Sequence, residues 1–198
     1  MRIAGDSSAD EMVACFLLGE LTSARFGAGI RRALAAAGQS ERLLTEADLA
    51  DPAANRARRD LLAATRGYGE NRDVFEDFPP RVRWIRAVLT PAELARVRYI
   101  EYSYWNELSG GSRLPGDAAE RIRAGVRVFD VPNDRFLRAA GAVRRGERVP
   151  PLILAGPRPA ALVCLEGHLR LTAYALAGFP SGVECLVGTA PELDRWAR

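Results

Sequence analysis

Lysine is missing from this 198-residue chain; all 28 basic residues are arginine, in a background crowded with alanine. That bias is what a GC-rich coding sequence produces, so the arginines by themselves say little about binding polyanions. Histidine occurs once, as His168. Three cysteines, Cys15, Cys164 and Cys185, are odd in number and far apart, which suggests neither a disulfide framework nor a zinc knuckle. No apolar run approaches the ~20 residues needed to cross a bilayer. Met1 to Glu11 lacks the basic and apolar regions of a secretory leader. Repeats at solenoid periods, low-complexity tracts and carboxylate clusters of the two-metal kind are also lacking. The expectation is a cytoplasmic protein with no membrane role.

What is present is ordinary globular chemistry. Apolar residues make up 48% and charged residues 27%, with a net charge of +3. The length suits one compact domain, or one domain with a helical appendage. Acidic and basic residues interleave, which makes nucleic acid an unlikely partner without excluding it. Arg56-Ala57-Arg58-Arg59 and Arg144-Arg145 read as solvated helix faces.

Residues 1–80 read as a mostly helical region. Met12, Phe16, Leu17 and Leu21 recur at helical spacing, with Asp10 as the candidate cap, and Gly27 and Gly29 interrupt the pattern before Ile30 to Ala37. A second helical stretch, Glu46 to Thr65, restarts at Asp51-Pro52. Arg66 to Pro80 is a charged connector pinned by Phe75 and Phe78.

Residues 81–198 read as mixed α+β. Val82 to Leu89 alternates as a strand does. Thr90-Pro91-Ala92-Glu93 spells a capping box and opens a helix running towards Tyr99 and Ile100. Further elements are a helix over Asp117 to Ala124, a strand over Val126 to Val131 and a helix over Arg135 to Arg145. A buried strand over Ala160 to Leu165 and a strand over Val183 to Val187 follow. Ala190 to Arg198 closes the chain as a helix with Trp196 turned inward.

Two stretches carry chemistry. In the first, the apolar run ends at Glu166-Gly167-His168-Leu169-Arg170, where the period changes from strand to helix. Such a corner points unpaired amides outward, where the helix dipole favours an anion. Gly167 permits close approach and Arg170 offers a forked cation. The second stretch is Tyr99 to Arg113. Its aromatics and the Ser109-Gly110-Gly111-Ser112-Arg113 loop read either as a base-stacking, phosphate-wrapping segment or as a core patch followed by a turn. The loop lacks the lysine and spacing of a P-loop.

Glu-Gly-His-Leu-Arg followed by Leu-Thr-Ala resembles the acidic-Gly-His-x-Arg box of the ParB/sulfiredoxin-like superfamily. The frame upstream is similar too: a helix over Phe136 to Arg145, then Gly146-Glu147-Arg148-Val149-Pro150-Pro151 leading into Leu152-Ile153-Leu154. The resemblance is clearest over residues 125–190 and is nearest to the free-serine kinase-like branch, with Glu166 where that branch mostly has Asp. Sulfiredoxins resemble Gly-Cys-His-Arg here, and this chain has His168 in place of the cysteine.

The resemblance implies a small mixed sheet with flanking helices over 81–198. It also implies a nucleotide-binding phosphotransferase using ATP or ADP with Mg²⁺ on a small hydroxylated acceptor, and allows a homodimer. Its alternative is a non-catalytic, nucleotide-sensing or DNA-associated regulator. On this reading Glu166 is a base or metal ligand, and His168 donates to phosphate. Gly167, His168, Leu169 and Arg170 hold the nucleotide, with Ser109 to Arg113 as a second contact. Asp130 is the candidate acidic partner of Glu166, or else simply a member of its own turn.

Overall fold

Short polar signals set where the elements begin. The computed structural model describes residues 1–197, with side chains to Asp194; the expectation for Trp196 lies outside the described side chains. Helix α1 (Ala9–Leu21) is capped by Ser8, whose hydroxyl accepts the Glu11 N–H at 3.2 Å. The cap is therefore Ser8 and not Asp10, which sits inside the first turn. Helices α2 (Gly27–Ala36) and α3 (Arg42–Thr45) follow. Asp51 caps α4 (Pro52–Arg66) by accepting the Ala53 and Ala54 amides, and left-handed Gly67 ends it.

These helices belong to one of two compact units, Ser7–Trp84; the other comprises Met1–Asp6 with Ile85–Arg198. In the helical unit Met12, Phe16, Leu17, Ile30, Leu34, Leu44, Leu62 and Phe75 are buried. Arg58 is buried with them, 1% exposed, which corrects its reading as a solvated residue. Its guanidinium donates to the Leu43 carbonyl at 3.0 Å, to the Asp48 carbonyl at 2.7 Å and to Asn55 Oδ1. A cation so placed ties α3, the following loop and α4 together through groups that would otherwise lose water unpaid.

The second unit is mixed α+β around an open six-stranded sheet ordered β1-β2-β6-β4-β5-β3. Its strands are β1 (Arg2–Asp6), β2 (Arg83–Leu89), β3 (Arg98–Tyr99), β4 (Leu152–Arg158), β5 (Ala161–Glu166) and β6 (Val183–Thr189). β1 is antiparallel to β2, β4 is parallel to β6 and antiparallel to β5, and β3 runs parallel to β5. β4 is central, and Leu152 to Ala155 are wholly buried, as a strand covered on both faces requires.

Four more full helical elements, α5 (Pro91–Leu94), α6 (Ser103–Leu108), α7 (Pro115–Arg123) and α8 (Asp134–Arg144), precede α9 (His168–Leu176). A 3-10 segment, Pro191–Ala197, ends the described chain. Arg123 and Arg144 donate to the Ala175 and Leu176 carbonyls at the end of α9. There a cation is favoured by the dipole.

The sheet departs from expectation in three places. β1 was not foreseen. The helix opened by Thr90 stops at Leu94, and Arg98–Tyr99 pairs with Val163 and Cys164 as β3. Val126 to Val131 is a tight turn and not a strand. Val128 and Val131 bridge each other while Phe129 and Asp130 take left-handed backbone, φ 50° and 55°.

The capping box is present in full: Glu93 accepts the Thr90 N–H at 2.9 Å and Thr90 accepts the Glu93 N–H at 3.4 Å. Thr90→Ala is expected to lower unfolding free energy by about 1 kcal/mol, read from the urea midpoint at unchanged slope.

Candidate functional site: the strand-to-helix corner at Gly167

The corner forms because β5 runs into α9 through one residue that must be glycine. Gly167 has φ 102°, and a Cβ there would lie 2.6 Å from Leu152 Cδ2. The Leu171 N–H donates to the Gly167 carbonyl at 2.8 Å and closes the first turn. His168, Leu169 and Arg170 are half-buried, and Gly167 is buried.

Parallel pairing of β3 with β5 brings the two chemistry-bearing stretches side by side. Ligands in open α/β sheets favour such carboxyl ends of adjacent parallel strands. The Tyr99 hydroxyl and Thr172 Oγ1 are 2.7 Å apart, and Thr172 Oγ1 donates to the His168 carbonyl at 2.8 Å. Because the threonine proton is used there, Tyr99 is the donor of the first bond. Burial pushes the Tyr99 phenol up.

The rings stack. Trp105 lies 4.8 Å from Tyr99 and 5.0 Å from His168, at interplanar angles of 22° and 17°. Phe136 meets Trp105 edge-on at 6.2 Å. Outside them, Tyr104 lies 5.0 Å from Trp105 and 6.4 Å from exposed Phe129, with the Arg135 guanidinium 5.4 Å above the Tyr104 ring. Of these only the Tyr99–Trp105 density was conspicuous in sequence. Phe129 and Arg135 had no local signal.

Arg170 and Glu166 form an i,i+4 ion pair, each side chain 15% exposed. Arg170 Nη2 also donates to the Pro151 carbonyl at 3.3 Å. The carboxylate and the cation of the corner thus neutralise each other.

Other predicted members lie elsewhere. The Ser109–Arg113 loop, read either as a phosphate wrap or as a turn after a core patch, is a helix end whose polar groups bond within it. The amides of Ser109, Gly110 and Gly111 donate to Trp105, Glu107 and Asn106 carbonyls. Ser109 Oγ accepts the Arg113 N–H at 2.9 Å, and Ser112 Oγ accepts the Leu114 N–H at 3.0 Å. Arg113 Nε donates to the Tyr99 carbonyl at 2.9 Å, and burial lowers its pKa. Asp130 is exposed in its turn, and among the described residues no hydrogen bond or ion pair joins it to Glu166. Likewise no group of three or more His, Cys, Asp or Glu among them stands close enough to hold a metal ion.

Cys164 faces the core, 0% exposed, and its thiol donates to the Glu166 carbonyl at 3.3 Å. Burial raises the Cys164 thiol well above its ordinary value and pushes Cys185 up to about 12. Both are expected to resist alkylation at pH 8, while half-buried Cys15 is the one labelled; mass spectrometry of the native and denatured protein checks this. The raised pKa values also set a sign. Their contribution to stability is full below pH 9 and falls as pH rises towards about 12, because the unfolded chain releases those protons first.

No family model, curated protein or solved structure matches this chain. No helix among the described residues is long and apolar enough to cross a membrane.

Proposed function

We propose that the chain is a nucleotide-binding protein of ParB/sulfiredoxin-like type, acting as a phosphotransferase from ATP or ADP to a small hydroxylated metabolite. The observation that carries this reading is the pairing of a glycine-opened helix start with a stack of flat rings. The first suits phosphate and the second suits a base. The Gly-His-x-Arg order supports the same assignment.

In this reading Gly167, Leu169 and the Arg170 fork receive phosphate. His168, held flat against Trp105, presents a ring nitrogen to the transferred group, and Glu166 takes the acceptor's proton. Magnesium travels with the nucleotide phosphates. The Glu166 carboxylate is paired with Arg170. Asp130 and the Ser109–Arg113 loop have no part in the proposed site.

One observation favours a second reading. A carboxylate already neutralised by Arg170 is a poor base, which suits a protein that binds a nucleotide without turning it over.

The test is a nucleotide turnover assay over a panel of hydroxylated acceptors, run beside a thermal-shift screen. Phosphotransferase action gives an acceptor-dependent product that Glu166→Ala abolishes. Stabilisation by nucleotide without product selects the second reading. Inertness in both assays refutes each of them.

A further inference from the structure

A second concavity lies at the other end of β5 from the Gly167 corner, and what it holds is independent of the nucleotide reading above. Its volume is about 400 Å³, within the range of small-ligand pockets, roughly 300–1,000 Å³. The buried side chains of Leu89, Val97 and Leu162 make its floor. Ile3 of the edge strand β1, 60% exposed, and the exposed Pro159-Ala160 turn between β4 and β5 stand at its rim. Two charged side chains reach it, Glu93 and Arg96. Glu93 is already in use. Its Oε2 accepts the Thr90 N–H at 2.9 Å and the Thr90 hydroxyl at 2.8 Å, and its Oε1 accepts from the Met1 ammonium. Arg96 is exposed, and among the described residues no hydrogen bond or ion pair occupies its guanidinium.

We infer that this pocket binds a small amphipathic carboxylate, its apolar tail on Leu89, Val97 and Leu162 and its head group on Arg96. The chemistry follows from what the lining leaves open. A tail laid on the floor also covers Ile3, whose apolar surface is otherwise wet, and burial of such surface is favourable in proportion to its area. The planar guanidinium offers a carboxylate two parallel N–H donors. The Met1–Glu93 pair is balanced within itself, so the lining carries the single positive charge of Arg96. A cationic head group meets that charge and finds the one carboxylate of the lining already bonded. A neutral alcohol gains the floor but not the fork. A nucleotide does not suit this pocket, because none of the described residues that line it is aromatic and a base has nothing to stack on.

The test is calorimetric titration of the full chain with octanoate, 1-octanol and octylammonium at about pH 7.5, for wild type, Arg96→Gln and Ala160→Trp. Wild type is expected to bind octanoate at one saturable site, 1-octanol about fivefold more weakly, and octylammonium not measurably. Arg96→Gln is expected to lose about fivefold in octanoate affinity, the scale of a solvent-exposed ion pair, with its affinity for 1-octanol unchanged. A merely structural role for Arg96 does not produce that split. Ala160→Trp fills the concavity from an exposed turn and is expected to abolish binding of both. Arg96→Gln alters an exposed side chain, so it decides the matter by itself should Ala160→Trp misfold. Absence of saturable octanoate binding to wild type up to millimolar concentration overturns the inference. So does undiminished octanoate affinity in Arg96→Gln or in a folded Ala160→Trp. Stabilisation by nucleotide is expected to be equal in all three proteins, so that failure of this pocket leaves the nucleotide reading standing.

Discussion

Arg58→Ala is expected to destabilise the helical unit by about 3–5 kcal/mol, the largest stability effect of any single change considered. Three acceptors, the Leu43 and Asp48 carbonyls and Asn55 Oδ1, converge on a guanidinium that is 1% exposed. Truncation leaves buried Asn55 Oδ1 without a donor, at about 1–3 kcal/mol for a group that water cannot reach. It takes the same donor from the partly buried contacts to the Leu43 and Asp48 carbonyls. It also empties the volume of the largest fully buried side chain, for which the cavity adds its own cost. Arg58→Lys restores charge but not the planar fork, so it is expected to recover only part of the loss. Urea unfolding followed by circular dichroism reads both variants. Wild-type stability in Arg58→Ala would mean that the cation does not hold α3 and α4 together.

Arg170→Gln is expected to weaken nucleotide binding by about 30-fold or more, the largest functional effect. The substitution removes the cation placed against Gly167 and leaves the half-buried Glu166 carboxylate at the helix start, where it repels phosphate. Losing one partner of a desolvated charged contact costs about 2–5 kcal/mol in binding, and the retained carboxylate adds to it. Pairing Arg170→Gln with Glu166→Gln separates the two terms. If repulsion by the carboxylate matters, the double variant binds better than Arg170→Gln alone. Undiminished affinity in Arg170→Gln would place the anion somewhere else.

How much of this was legible in the sequence follows from which contacts are local. The Thr90–Glu93 box, the Asp51-Pro52 start and the Gly167 corner each lie within five residues, and they stand where the sequence puts them. β3 did not show itself, because Arg98–Tyr99 lacks any breaker before it and becomes a strand only by pairing with Val163 and Cys164. Val126 to Val131 alternates as a strand would, yet two consecutive left-handed residues fold it into a turn.

The fate of the arginines was equally hidden. Arg58 sits in a run of charged residues whose periodicity says solvent, and only the packing of α3 against α4 buries it. At the site, both stretches were visible separately. Their juxtaposition depends on a parallel pairing between strands more than sixty residues apart, which no local pattern reports. The Glu166–Arg170 pair was written at i,i+4 spacing all along; that it would neutralise the corner needed the geometry.

The most direct measurement is calorimetric titration of the wild-type chain with ATP and with ADP, each with magnesium, alongside Trp105→Ala. The account predicts one saturable site per chain and a melting temperature that rises with ligand concentration, as binding to the native state alone requires. It further predicts that affinity drops about tenfold or more when the indole that holds His168 in the stack is removed. Absence of saturable heat for either nucleotide up to millimolar concentration, with no change in melting temperature, would contradict it.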